Sequence, residues 1–300
     1  MNENTETARL KPECISCLVK KQIENYPTDV IYSEKIKYMQ TILKIISEAD
    51  TSMSAPEIMD RIYEVQRMMF GMEQNYTETK QYFNNLMLGI EKKLMDEIAK
   101  SDVPIKTAVK YVMTGNYIDF GAMDKVDENK LHDLLDSTKD IEINDTEFQA
   151  LKNDLITAKR VVYLTDNCGE IVLDKLLISV IKELNPLMEI IAIVRGGNVL
   201  NDATLDDARQ IGLTDIVKVI GNGNTIAGTC LDKITEEALQ AIENADVIIA
   251  KGQGNFETLY TCGKNIYYIF MCKCKMFSDR FNVPLYTGML LSDKTVCRSN

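Results

Sequence analysis

The sequence predicts an α/β fold: a Rossmann-like three-layer α/β/α domain preceded by an all-α N-terminal region. Three observations predict it. Residues 18 to about 150 carry helical periodicity and no convincing strand before residue 158. Beyond that point short, β-branched-rich runs recur, and helical patterns separate each run from the next. Strands alternating with helices at this spacing build a largely parallel sheet covered on both faces.

In the N-terminal region, "SEKIKYMQTILKIISEA" spaces Ile36, Met39, Ile42, Leu43 and Ile46 along one predicted helix face. "SAPE" opens a second helix, with Ser54 as N-cap, Pro56 in the first turn and Glu57 closing a capping box. A long amphipathic segment, "ETKQYFNNLMLGIEKKLMDEIAK", follows. Asp102 and Pro104 start a shorter helix that ends near Gly115. "DTEFQALKNDLITAKR" reads as a helix leading into the first strand, so the expected division into residues 1–150 and 151–300 has a soft boundary. Strands are expected within 160–166, 188–196, 215–221, 245–252 and 264–271, and helices over 170–184, 203–211 and 232–244.

Composition narrows the function. The 300 residues are 45% apolar and 26% charged, an ordinary globular balance. The net charge of −11 lacks the basic footprint of a nucleic-acid binder, so none is expected as a partner. No apolar run reaches the roughly 18–20 residues of a membrane span, so no membrane partner is expected. The polar start "MNENTETARLKPECISC" has no signal-peptide core, so a cytoplasmic location is the expectation. Eight cysteines are too sparse for a disulfide scaffold. With His132 the single histidine, in a polar segment, mechanisms needing a His base or several His ligands are nearly excluded.

In open parallel sheets, ligands sit beyond the carboxyl ends of the strands. The residues there divide into two chemistries. "YLTDNCGE" gives Asp166, Asn167, Cys168 and Glu170, and "RGGNVLNDATLDDAR" gives Asn198, Asn201, Asp202, Asp206 and Asp207. "KGQGNFETL" gives Lys251, Gly252, Gly254, Asn255 and Glu257, and "MCKCK" gives Lys273 and Lys275. The first two segments are acidic with amides; the last two carry lysines and flexible backbone. Mg²⁺ and Mn²⁺ take carboxylate, carboxamide and water oxygens, and Asp166, Asn167 and Asp202 form such a set. Lysines and glycine-rich backbone suit phosphoryl oxygens. Each Asp or Asn alone is more often a cap or turn residue; the combination is what points to a site.

Five motifs in order, "ECISCLVKKQ", "VMTGNYIDFG", "LTDNCGEIVLDKLLI", "VLNDATLDDARQIGL" and "KGQGNFETL", resemble the prokaryotic, CxxC-containing branch of the damage-control phosphatases. The resemblance spans nearly the whole chain. It implies a metal-dependent phosphatase of small phosphate esters, with a divalent ion (Mn²⁺, Mg²⁺, Co²⁺ or Ni²⁺) as cofactor and a small phosphorylated metabolite as partner. By resemblance the metal ligands fall on Asp166, Asn167 and Asp202, and the phosphate loop on Lys251 through Asn255. Lys273 matches a later basic residue of the family, and Asn116 and Asp119 of "GNYIDFG" fall near the cleft. The expected catalytic set is Asp166, Asp202 and Lys251, with either water or Asp166 as the attacking group.

Two features stand apart. Cys14 and Cys17 form a CxxC, and with Cys272 and Cys274 they could form a four-cysteine zinc site or stay incidental core thiols. "GNGNTIAGT" (221–229) either lines the cleft or is a turn. A nucleotide- or cofactor-binding α/β protein, such as a methyltransferase, is the alternative class. The first strand turn "DNCGE" has no G-x-G-x-x-G fingerprint to favour it.

Overall fold

The computed structural model describes residues 9–25, 29–72, 75–118 and 128–298. Seven helices come first: α1 (Pro12–Glu24), α2 (Tyr32–Ser47), α3 (Ala55–Phe70), α4 (Thr77–Lys100), α5 (Pro104–Gly115), α6 (Glu128–Asp136) and α7 (Asp145–Thr157). The α/β part then runs β1 (Arg160–Leu164), α8 (Glu170–Leu184), β2 (Glu189–Val194), α9 (Leu205–Gln210), β3 (Lys218–Gly221), α10 (Glu236–Glu243) and β4 (Val247–Lys251). It ends with α11 (Gln253–Leu259), β5 (Ile266–Met271), α12 (Lys275–Phe281), β6 (Gly288–Ser292) and α13 (Asp293–Arg298).

The six strands lie in the order β3-β2-β1-β4-β5-β6. All neighbours are parallel except β5 and β6, which pair antiparallel from Tyr267 opposite Ser292 to Met271 opposite Gly288. Each of the five expected strands falls inside its window. The sixth was not expected: "GMLLS" is a short edge strand with little β-branching to mark it.

Side-chain alternation builds the layers. Val161 and Tyr163 of β1, Val247 and Ile249 of β4, and Tyr267 and Ile269 of β5 enter one core with α4, α5, α7 and α8. Val162, Leu164, Ile248, Ala250, Tyr268 and Phe270 enter the other, against Ala238, Phe256, Phe277 and Val296 of the opposite helices. Helices therefore cover both faces, as a parallel sheet needs. The first core runs without a break through residue 150, because Phe148, Leu151 and Leu155 of α7 pack with the sheet.

Helices α1 to α3 form a separate cluster around Tyr38, Ile42, Ile58 and Ile62. The Ser54–Glu57 capping box is present, with the Ser54 N–H donating to Glu57 at 2.7 Å. The predicted stripe of α2 needs correction: Ile36 and Leu43 are 58% and 50% exposed, and the buried stripe is Tyr38, Ile42 and Ile46. Spacing of i, i+4, i+8 makes a narrow seam, with Met39 and Ile45 partly buried beside it. Lys233 Nζ to Glu57 at 2.8 Å and the Thr225 hydroxyl to Asp60 at 2.9 Å tie α3 to the segment after β3.

Candidate active site

The sheet reverses direction of growth between β1 and β4: β2 and β3 extend one way, β4 and β5 the other. That switch point opens a crevice beyond the carboxyl ends of β1 and β4. Asp166 stands two residues past β1 and Gly252 one residue past β4. The two meet there. Gly252 has φ +81°, and a β-carbon on it would collide with the Asp166 carboxylate.

Asp166, Asn167 and Asp202 are brought together, although 34 positions lie between Asn167 and Asp202 in the sequence. Asn167 and Asp202 form an antiparallel bridge, and the Ala203 N–H donates to the Asp166 carbonyl at 2.7 Å. The Asn167 amide donates to Asp166 Oδ2 at 2.7 Å. All three side chains are buried. Their loops are held from behind by Asp207, which caps α9 through the Thr204 N–H at 2.8 Å and pairs with Lys80 of α4 at 2.6 Å. Asn84 of α4 accepts the Gly169 N–H at 2.6 Å and donates to Asp207 at 3.0 Å. Helix α4 thus positions both acidic segments.

A second buried group lies beneath. Lys251 Nζ pairs with Glu170, lies 3.3 Å from Asp174, and donates to the Val112 carbonyl at 3.1 Å. Asp174 accepts the Tyr163 hydroxyl at 2.7 Å. Burial works against the Lys251 charge, but Asp174 and Glu170 outweigh it and hold the ammonium above its ordinary range. Burial pushes the Asp174 carboxyl up to about 7, against the pull of Lys251. The expected phosphate-binding ammonium is therefore fully buried and engaged by two carboxylates. Its reach toward the crevice runs through Glu170, which accepts the Asn167 N–H at 3.4 Å.

Asn116, at the end of α5, links the pieces. Its amide donates to Asp166 at 2.9 Å and to Glu170 at 3.0 Å, while its oxygen accepts the Met271 N–H from the end of β5 at 2.9 Å. Asn255 donates to the Thr165 and Lys251 carbonyls at 3.1 and 2.7 Å and accepts the Thr229 hydroxyl at 2.8 Å. The 221–229 segment therefore does abut this site. Lys273 is partly buried after β5, its N–H donating to Gln253 at 3.2 Å. Lys275 is exposed and pairs with Asp279. Asp119 lies outside the described residues.

One residue at the centre was missed by sequence reasoning. Arg195, one position past β2, is 3% exposed, with Nε on Asp202 Oδ2 at 2.6 Å. Its Nη1 donates to the Gly228 carbonyl at 2.6 Å and to Asn255 at 3.3 Å. The "R" of "IVRGG" was the available signal: a lone cation at the end of a buried strand.

The set suits a hard divalent ion. Two carboxylates and one carboxamide supply oxygen, with no thiolate or imidazole among them. Arg195 pairs with Asp202 and Lys251 with Glu170, so four buried carboxylates, Asp166, Asp202, Glu170 and Asp174, cluster with two buried cations. Among the described residues no three His, Cys, Asp or Glu side chains stand in an arrangement that could hold a metal. Cys14 and Cys17 of α1 nevertheless lie within electrostatic range of Cys274, which neighbours Cys272, so the fold brings the two cysteine pairs towards one another. All eight thiols are free, and burial pushes the Cys14 thiol up to about 11. His132 is exposed.

The fold agrees with the comparisons. The chain belongs to the damage-control phosphatase ARMT1-like domain family, whose model matches residues 10–288. A protein of Archaeoglobus fulgidus named a damage-control phosphatase is 32% identical over 280 residues, spanning 89% of this chain and 93% of that one. The uncharacterized protein MJ0202 of Methanocaldococcus jannaschii is 32% identical over 300 residues, or 95% of this chain and 96% of that one. The crystal structure of a DUF89 family protein from Pyrococcus horikoshii superposes with a TM-score of 0.78 at 27% identity, covering 95% of this chain and 99% of that one.

Proposed function

We propose that the chain is a metal-dependent phosphatase of small phosphate esters, working at the β1/β4 crevice. One observation carries the proposal: Asp166, Asn167 and Asp202, distant in sequence, converge there as buried oxygen-bearing side chains. The name of the Archaeoglobus fulgidus relative as a damage-control phosphatase supports the reaction class. When bound, a divalent cation supplies Lewis-acid polarisation of the ester's phosphoryl oxygens.

The chain's own residues do the rest. Asp166, Asn167 and Asp202 hold the cation with oxygen donors. Asn116 and Glu170 fix the Asp166 and Asn167 side chains, and Lys251 fixes Glu170. The Gly252–Asn255 turn offers backbone to the phosphate, because glycine at 252 lets the chain approach Asp166 closely. Lys273 flanks the turn through Gln253. Water would attack the phosphorus as its bond to the ester's alcohol oxygen breaks and the alcohol leaves, since Asp166 holding a cation would be a weakened nucleophile.

The test is phosphate release from p-nitrophenyl phosphate and a panel of sugar phosphates, with Mn²⁺, Mg²⁺, Co²⁺ or Ni²⁺ and with chelator. The expected result is release with metal, loss with chelator, and loss of at least about 100-fold in Asp166→Ala and Asp202→Ala. Undiminished release by Asp166→Ala would sink the assignment.

A further inference from the structure

We infer that Arg195 is the residue that grips the phosphoryl group, a role the sequence motifs place on Lys251. This rests on the phosphatase reading. Two nitrogens of its guanidinium are fixed: Nε by Asp202 and Nη1 by the Gly228 carbonyl and Asn255. The third, Nη2, is buried and has no hydrogen-bond partner among the described residues. It lies 3.7 Å from Asp166 Oδ1, too far for a hydrogen bond but inside the candidate metal centre.

A buried N–H left without an acceptor costs free energy, and in folded proteins such a group usually marks an absent water, ion or ligand. An ion pair with Asp202 alone needs only Nε. The remaining donor face of a planar guanidinium fits an oxyanion, and phosphate oxygens are its best match. The competing cation is unsuited: Lys251 is 0% exposed and already held by Glu170, Asp174 and the Val112 carbonyl. Arg195 is also preorganised, since it leaves the end of β2 and is clamped at two of three nitrogens before any ligand arrives.

The test is calorimetric titration of Mn²⁺, then of inorganic phosphate onto the Mn²⁺-loaded protein, for wild type, Arg195→Ala and Arg195→Lys. Thermal melts establish that each variant is folded. Arg195→Ala is expected to keep its Mn²⁺ and to bind phosphate about 10- to 100-fold more weakly, the range for charge-assisted hydrogen bonds. Added guanidinium ion should restore phosphate binding in Arg195→Ala, which a purely structural role would not produce. Arg195→Lys, which keeps the charge without the fork, is expected between the two.

Phosphate bound by either variant as tightly as by wild type overturns the inference, and so does loss of phosphate affinity only through loss of Mn²⁺. Failure of the wild-type enzyme itself to release phosphate from p-nitrophenyl phosphate with Mn²⁺ sinks the phosphatase reading instead.

Discussion

The α-carbon of Gly252 abuts the Asp166 carboxylate so closely that no side chain fits between them. Strand β4 can therefore bring its following turn onto the end of β1 only with glycine at this position. Gly252→Ala adds a methyl group at φ +81° and ψ +157°, an essentially glycine-only backbone region costing about 1–3 kcal/mol, and also displaces Asp166. Phosphatase activity should fall at least about 100-fold, with a matching loss of stability in urea melts. Gly263→Ala is the control: φ is +78° but nothing lies within 4 Å, so stability falls and activity stays.

Lys251 should behave as a buried counter-ion. Lys251→Met leaves Glu170 and Asp174 without their cation, and removing one partner of a buried pair costs about 3–5 kcal/mol. Combining it with Asp174→Asn should recover part of that loss. A Lys251→Met protein as stable as wild type in denaturant melts would show that its charge is not needed to hold Glu170.

Glu257 gives a pH signature. Burial raises its carboxyl from 4.5 to about 7, against a hydrogen bond from Gln253 that lowers it. A carboxylate with a raised folded-state pKa binds more protons folded than unfolded, so its contribution favours folding below about 4.5 and is lost as pH rises toward about 7. Around it lie Arg9, Lys11, Cys14, Tyr260 and Arg280. Glu257→Gln should remove the downward slope of stability across that window and be more stable than wild type at pH 8. An unchanged slope in melts at stepped pH would assign it to another group.

The CxxC is predicted to be dispensable for chemistry. Cys14→Ala should leave metal-dependent phosphate release within about twofold of wild type, since a protonated core thiol acts as a small apolar side chain. Inductively coupled plasma analysis should find the same metal content in both proteins.

How far the sequence was legible depends on the range of each contact. The five parallel strands show because β-branched runs buried on both faces have no other reading, as "RVVYL" and "VIIAK" illustrate. That Asp166, Asn167 and Asp202 come together was expected from strand-end position and motif order; the backbone bridge between Asn167 and Asp202 was not. The partners of Lys251 were not: they depend on how α8 sits under β4, and Glu170 precedes Lys251 by 81 positions. Arg195 was missed for the same reason, since nothing local in "IVRGG" says that its guanidinium folds back onto Asp202. The exposure of Ile36 and Leu43 was illegible because periodicity identifies an apolar face without saying what packs on it.

The most direct test of the central claim is anomalous diffraction from crystals soaked in Mn²⁺. The account predicts one peak, within about 2.5 Å of side-chain oxygens from Asp166, Asn167 and Asp202, and its loss in Asp202→Ala. A peak held by other residues in a protein that releases phosphate would contradict it.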